Sequence, residues 1–464
     1  MTGAMGGDNA VPFSVPARFM TVGALSLAAF WTGLALRPEL LLAHPAVPGV
    51  LAIVHVFTLG FGASVLIGAL HQLVPVLLIT RLCAPGWGAA TWATSSAGSL
   101  AIVIGFATGS RPAWLAIGGT LVLIGATILL VNLVATVRTA RRVDAVAGAV
   151  LASAAALWGT VALGAAIALG RIVPWVAMAL GPVRPLHLTL GLIGAFVLAI
   201  AGAGHKLLSM FVLSHGASDR PLRWVSGAVG AAVLLAAIGA WTPGSWRATS
   251  FAGAGGTDWL ARGVTVALGV ALAALIIDVR AILTRRMRKR TDVGVTTFLI
   301  GVLMFVPAWT LLAFGRPADA IALLLTGGLA LAIGGMMVKI VGFLAWQHRY
   351  APLVGRDPSR TTTIPMLADM TVPALGWITA GCLLAASLLL AGVRLAHGDA
   401  AAPPPPELLG LARLAATVGS IGGWSLVAHL AWIVAGRHRP RTAQTRADDL
   451  VTPAAPPGWK GHRA

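Results

Sequence analysis

The sequence predicts an all-α polytopic membrane protein of about twelve transmembrane helices, arranged as three four-helix pseudo-repeats around an axis along the membrane normal. Three observations predict it. Hydrophobic residues make up 58% of the chain and charged residues 10%. Twelve apolar runs reach the roughly 20 residues that span a hydrocarbon core. Three of those runs share one ending, with Gln72, Lys206 and Lys339 spaced 134 and 133 residues apart.

The runs cover 18–42, 47–79, 87–108, 113–136, 144–169, 185–213, 222–242, 259–283, 294–315, 318–347, 370–396 and 408–436. Backbone polar groups in lipid must be satisfied within the segment, so each run is a helix. Residues 1–17 form an N-terminal tail, 18–436 the transmembrane domain, and 437–464 a basic, Pro-containing tail with the composition of a disordered segment. Pro403 to Pro406 predict an extended external linker. Residues 171–184, with Pro174, Trp175 and Pro182, predict a segment at the outer interface.

The net charge of +19 suggests nucleic acid, but its distribution argues against that partner. The basic clusters fall on alternate connections: Arg138, Arg141 and Arg142; Arg280, Arg285, Arg286, Arg288, Lys289 and Arg290; Arg349, Arg356 and Arg360; Arg437, Arg439 and Arg441. That is the positive-inside bias, which predicts a multi-pass protein of the cell inner (plasma) membrane with both termini cytoplasmic. The first apolar run is too long for a cleavable signal, and no small-residue cleavage pattern follows it. Cys83 and Cys382 are too few for a disulfide framework or thiolate metal site.

The repeat follows from the three marked endings. They close the second, sixth and tenth runs, so each unit holds four helices and all three marked helices run in one direction. The copies are therefore parallel. Gly60 lies 12 residues before Gln72 and Gly327 lies 12 before Lys339; in the middle copy, Gly191 lies 15 before Lys206. These three helices are rich in small residues, which allow close packing in lipid. Gln72, Lys206 and Lys339 are expected at the cytoplasmic helix ends, with the lysines snorkelling to the interface.

Histidine inside a span is costly and marks a candidate site. His55 and His187 sit early in the second and sixth helices, in the related contexts His55-Val56-Phe57-Thr58-Leu59-Gly60 and His187-Leu188-Thr189-Leu190-Gly191. Neutral imidazole ligates haem iron and copper, and two such groups at similar depth would clamp a haem from both sides. His71 and His205 form a second pair nearer the cytoplasm, as a further metal site or as polar lining. At 16 residues, about 24 Å of helix separates His55 from His71. The 18 residues from His187 to His205 span about 27 Å and return to the same helical face. His429 reads as a packing histidine. No Asp or Glu falls mid-span, which counts against proton coupling.

This pattern resembles subunit I of the haem-copper oxidases, in the superfamily that includes nitric oxide reductases. The resemblance covers residues 18–436 in topology. It implies three four-helix arcs with ligands on the second, sixth and tenth helices, His55 at the position of the histidine that ligates low-spin haem, and His187 on the helix that carries a copper-ligating histidine. The chain departs from the family elsewhere: 318–347 contain no histidine, and the paired copper histidines are missing from 222–242. The usual oxygen-reduction site is therefore absent. The resemblance implies a divergent haem b protein with an electron-transfer, nitric oxide-handling or accessory role beside other respiratory subunits or an electron donor. The alternative is a permease or copper-handling protein whose histidines line a path.

Overall fold

The computed structural model describes residues 11–180, 182–241, 259–288, 290–354, 364–398 and 403–436. Twelve helices in it are long and apolar enough to cross a membrane: α1 (Ser14–Leu36), α2 (Pro48–Leu78), α3 (Trp87–Ala107), α4 (Pro112–Arg138), α5 (Ala145–Leu169), α6 (Arg184–Phe211), α7 (Arg220–Trp241), α8 (Trp259–Thr284), α9 (Val293–Ala313), α10 (Pro317–Leu353), α11 (Pro373–His397) and α12 (Pro406–Ala435). The tail 437–464 and residues 1–10 lie outside the described residues.

Helix boundaries follow local chemistry. Proline, whose missing N–H costs nothing in the first turn, opens α2, α4, α10, α11 and α12. Asp144 and Asp292 cap α5 and α9 by accepting from Ala147 N at 2.8 Å and Val295 N at 3.1 Å. The first helix stops at Leu36, short of the expected residue 42, because Pro38 opens a separate 3₁₀ turn, Pro38–Leu41. The segment expected at the outer interface holds a short helix, Pro174–Leu180, with Trp175 and Met178 exposed.

Packing repeats with a period of four helices. In each unit the first helix packs on the second (α1 on α2, α5 on α6, α9 on α10) and the third on the fourth (α3 on α4, α7 on α8, α11 on α12). Contacts of α4 with α5, α8 with α9, and α12 with α1 join the units into a closed ring. The first–second contacts are made by small residues. A Cβ on Gly60 would lie 2.6 Å from Ser26 Oγ, one on Gly191 3.0 Å from Thr160 Cγ2, and one on Gly301 2.3 Å from Ala332 N. The second helices are the innermost, and α10 is the most buried of the twelve.

The inner helices share a feature that no other helix has among the described residues. Each contains a π-helical stretch in its first half: Val56–Ala63 in α2, Thr189–Val197 in α6 and Leu324–Leu329 in α10. The i→i+5 bonds of such a stretch put extra residues into each turn. Two of the three stretches meet directly, since a Cβ on Gly62 would lie 2.8 Å from the Phe196 ring. The π stretches mark the three-unit repeat more clearly than the polar endings do.

Lys339 corrects one expectation. Helix continues through it to Arg349, so it does not end an inner helix and it does not snorkel. It is 3% exposed and donates to Asp292 at 2.5 Å, with its ammonium 4.6 Å from the centre of the Phe211 ring. The contact ties α10, α9 and α6 together at one end of the bundle. That end also carries Arg138, Arg141, Arg142, Arg285, Arg286 and Arg288, and we call it the basic end. At the opposite end Asp319, in the first turn of α10, accepts from Arg394 of α11 and from Arg316, both at 2.7 Å.

Candidate functional site

His55 closes the α-helical start of α2, immediately before its π stretch. Its Nδ1 donates to Leu51 O at 2.7 Å, and its ring stacks on Phe106 of α3 with centroids 5.0 Å apart. His187 holds the matching place in α6, two residues before the π stretch. Its Nδ1 donates to Thr160 O of α5 at 2.9 Å.

Both carbonyls only accept, so in each ring the proton sits on Nδ1 and the Nε2 lone pair is free. Among the described residues neither Nε2 has a hydrogen-bond partner. The two imidazoles lie within electrostatic range of each other. This is the arrangement of a ligating imidazole whose second nitrogen is fixed by a backbone acceptor. The His187 ring lies against Gly164 of α5, where an added Cβ would be 3.0 Å from its Cε1.

His71 and His205 are not brought together as a pair. His71 is fully buried; its Nδ1 donates to Ile67 O at 2.8 Å, its ring stacks on Phe19 of α1, and its Nε2 is buried without a partner. His205 instead holds Asp278 of α8, with Nδ1 2.9 and 3.0 Å from the two carboxylate oxygens. His187 contacts α5 whereas His205 contacts α8, so the two do not share a face. The π stretch between them breaks the 3.6-residue period on which that expectation rested.

Asp278 is a buried carboxylate near the end of a span, not at its middle. It is 2% exposed and lies six residues inside the end of α8. Among the described residues no three His, Cys, Asp or Glu side chains group as a metal site. His429 is fully buried and only half satisfied: its Nε2 accepts from Val372 N at 3.0 Å, and its Nδ1 is buried without a hydrogen-bond partner.

Beside α6 an apolar cleft of about 790 Å³ runs between α6, α8, α9 and α10. Ile193, Val197, Leu275, Phe305, Trp309 and Leu324 are among its walls. Trp309 is held there by its indole N–H, which donates to Thr265 O at 2.9 Å.

Comparison with known proteins returns no matching family model and no matching curated protein.

Proposed function

We propose that this multi-pass membrane protein binds haem b between His55 and His187 and serves electron transfer, on a scaffold like that of haem-copper oxidase subunit I. One observation carries the reading. Two intramembrane imidazoles, on neighbouring inner helices and in electrostatic range, each commit Nδ1 to a backbone carbonyl and leave Nε2 free.

The residues fit the group. A neutral imidazole with a fixed Nδ1–H is the form that donates its Nε2 lone pair to iron. Thr160 O and Leu51 O hold the two ring orientations, and Phe106 braces the His55 ring from α3. Gly164 lets the His187 ring lie against α5, and Gly62 lets the Phe196 ring lie against α2, which brings the two inner helices together. When bound, haem supplies a one-electron couple; the chain supplies ligands and an apolar surround that keeps water away and so tunes its potential. The same free nitrogens would accept copper, which makes the metal content part of the test.

Detergent-purified protein expressed with ample haem is expected to show a Soret band that shifts on dithionite reduction and is lost in His55→Ala and His187→Ala. Protein that stays colourless under those conditions, or that holds copper in place of haem at these two residues, overturns the proposal.

A further inference from the structure

The last helix of each unit carries one buried polar residue six positions before its end: Asn132 before Arg138, Asp278 before Thr284, and His429 before Ala435. In the first and third units that residue pins the connection between the second and third helices. Asn132 accepts from Ala84 N and donates to Ala84 O, each at 2.9 Å, and His429 accepts from Val372 N. The middle unit departs from this. Its α6–α7 connection is held by other means: a backbone bridge of Ser214 with Arg286, Arg288 N donating to Val212 O at 3.3 Å, and the Arg285 guanidinium on Gly216 O. Asp278 is thereby released from the pinning role and its carboxylate is spent on His205.

A buried ionisable pair inside a span is a functional arrangement by default. We propose that His205 and Asp278 form a proton-transfer site loaded from the basic end. The His205 side chain is 10% exposed, against 2% for Asp278. Asp219, an exposed carboxylate of the α6–α7 connection, lies within electrostatic range of His205. The order from the surface inward is therefore carboxylate, imidazole, buried carboxylate. Asp278 also falls seven and fourteen residues after Ala271 and Val264 on one face of α8, and both of those line the apolar cleft. The site thus stands at the basic end of that cleft. The neighbouring charges are Lys206 on α6, Arg280 and Arg285 at the end of α8, His215 and Asp219 in the connection, Arg220 and Arg223 on α7, and the Lys339–Asp292 pair, which neutralises itself.

The step balances. His205 Nε2 takes a proton from hydronium at the basic end, leaving water, while Nδ1–H passes its proton to Asp278. One O–H of hydronium breaks as the Nε2–H forms, the Nδ1–H breaks as the carboxyl O–H of Asp278 forms, and the positive charge of hydronium cancels the carboxylate. Nothing in it requires haem, so it stands apart from the function proposed above.

The test is infrared difference spectroscopy of the full chain in lipid vesicles after a pH jump. Wild type is expected to give an acid-induced carboxylic-acid C=O band that Asp278→Asn lacks. His205→Gln, which can still hydrogen-bond Asp278 but relays no proton, is expected to slow the rise of that band on the order of a hundredfold while folding normally. A band unchanged in Asp278→Asn overturns the proposal, as does His205→Gln protonating at the wild-type rate. If Asp278→Asn fails to fold, the His205→Gln rate decides alone. The Soret band of either variant reports on the haem separately.

Discussion

Replacing Asp292 by Asn separates two jobs that one carboxylate performs. Asn caps a helix about as well as Asp, so the bond from Val295 N survives. The charge opposite Lys339 does not. The Lys339 side chain is 2% exposed and its recorded anion is Asp292 at 2.5 Å; the Phe211 face remains as a partner 4.6 Å away. Removing one partner of a buried pair typically costs about 3–5 kcal/mol, and a desolvated cation–π contact offsets about 2 at most. We therefore expect Asp292→Asn to lose about 1–3 kcal/mol. Lys339→Met leaves a quarter-exposed carboxylate at the N-terminus of α9, where the helix dipole favours it, and is expected to cost less, about 1 kcal/mol. The double variant should be more stable than Asp292→Asn alone. Unfolding in mixed micelles, followed by tryptophan fluorescence and helical circular dichroism, reads all four states. A single Asn variant within about 0.5 kcal/mol of wild type, or a double variant less stable than both singles, refutes the account. The pH dependence has a definite sign. Burial pushes the Asp292 carboxyl up, but the charge and hydrogen bond of Lys339 more than offset this and leave it below its ordinary value. Its contribution is therefore complete above about pH 4 and is lost as pH falls through the lower folded value.

The remaining predictions concern packing and pinning. Asn132→Ala strands both backbone groups of Ala84 and is expected to cost about 2–3 kcal/mol, read by the same unfolding assay. Gly301→Ala drives a methyl against the backbone of Ala332 and should destabilise by about 1–3 kcal/mol. Gly381→Ala, in α11 with nothing within 4 Å of the new methyl, should be neutral or stabilising by up to about 1 kcal/mol. Equal effects at the two glycines would sink the close-packing argument. Asp219→Asn removes an exposed group held below its ordinary pKa chiefly by the hydrogen bond from Arg223, and unfolding of that variant should match wild type.

Hydropathy alone placed all twelve spans, because a run of 20 apolar residues has few alternatives in lipid. Their ends were less legible. Pro38 stops α1 through local sterics that averaged hydropathy smooths over. The repeat was legible through Gln72, Lys206 and Lys339, yet these residues turned out to differ: Lys206 is exposed, whereas Lys339 is buried and paired. Partner identity separates them, and Asp292 lies 47 residues away in the chain. Asp278 was missed for the same reason. Its partner His205 is 73 residues distant, and nothing near it in sequence advertises the contact. The π stretches leave no compositional trace beyond glycine and threonine, so the rotation they introduce was invisible until the backbone was seen.

That rotation changes how substitutions along an inner helix should be read. In a straight helix, tolerance to polar replacement rises and falls with a single phase from end to end. In α2, α6 and α10 the phase slips at the π stretch, so the first and basic halves of one helix present unrelated faces. A polar scan of α9 should therefore fit one 3.6-residue wave, whereas α6 should need two waves joined between Thr189 and Val197. The first half of α6 answers to α5 through His187, and the basic half to α8 through His205. A single continuous helix thus carries two independent addresses.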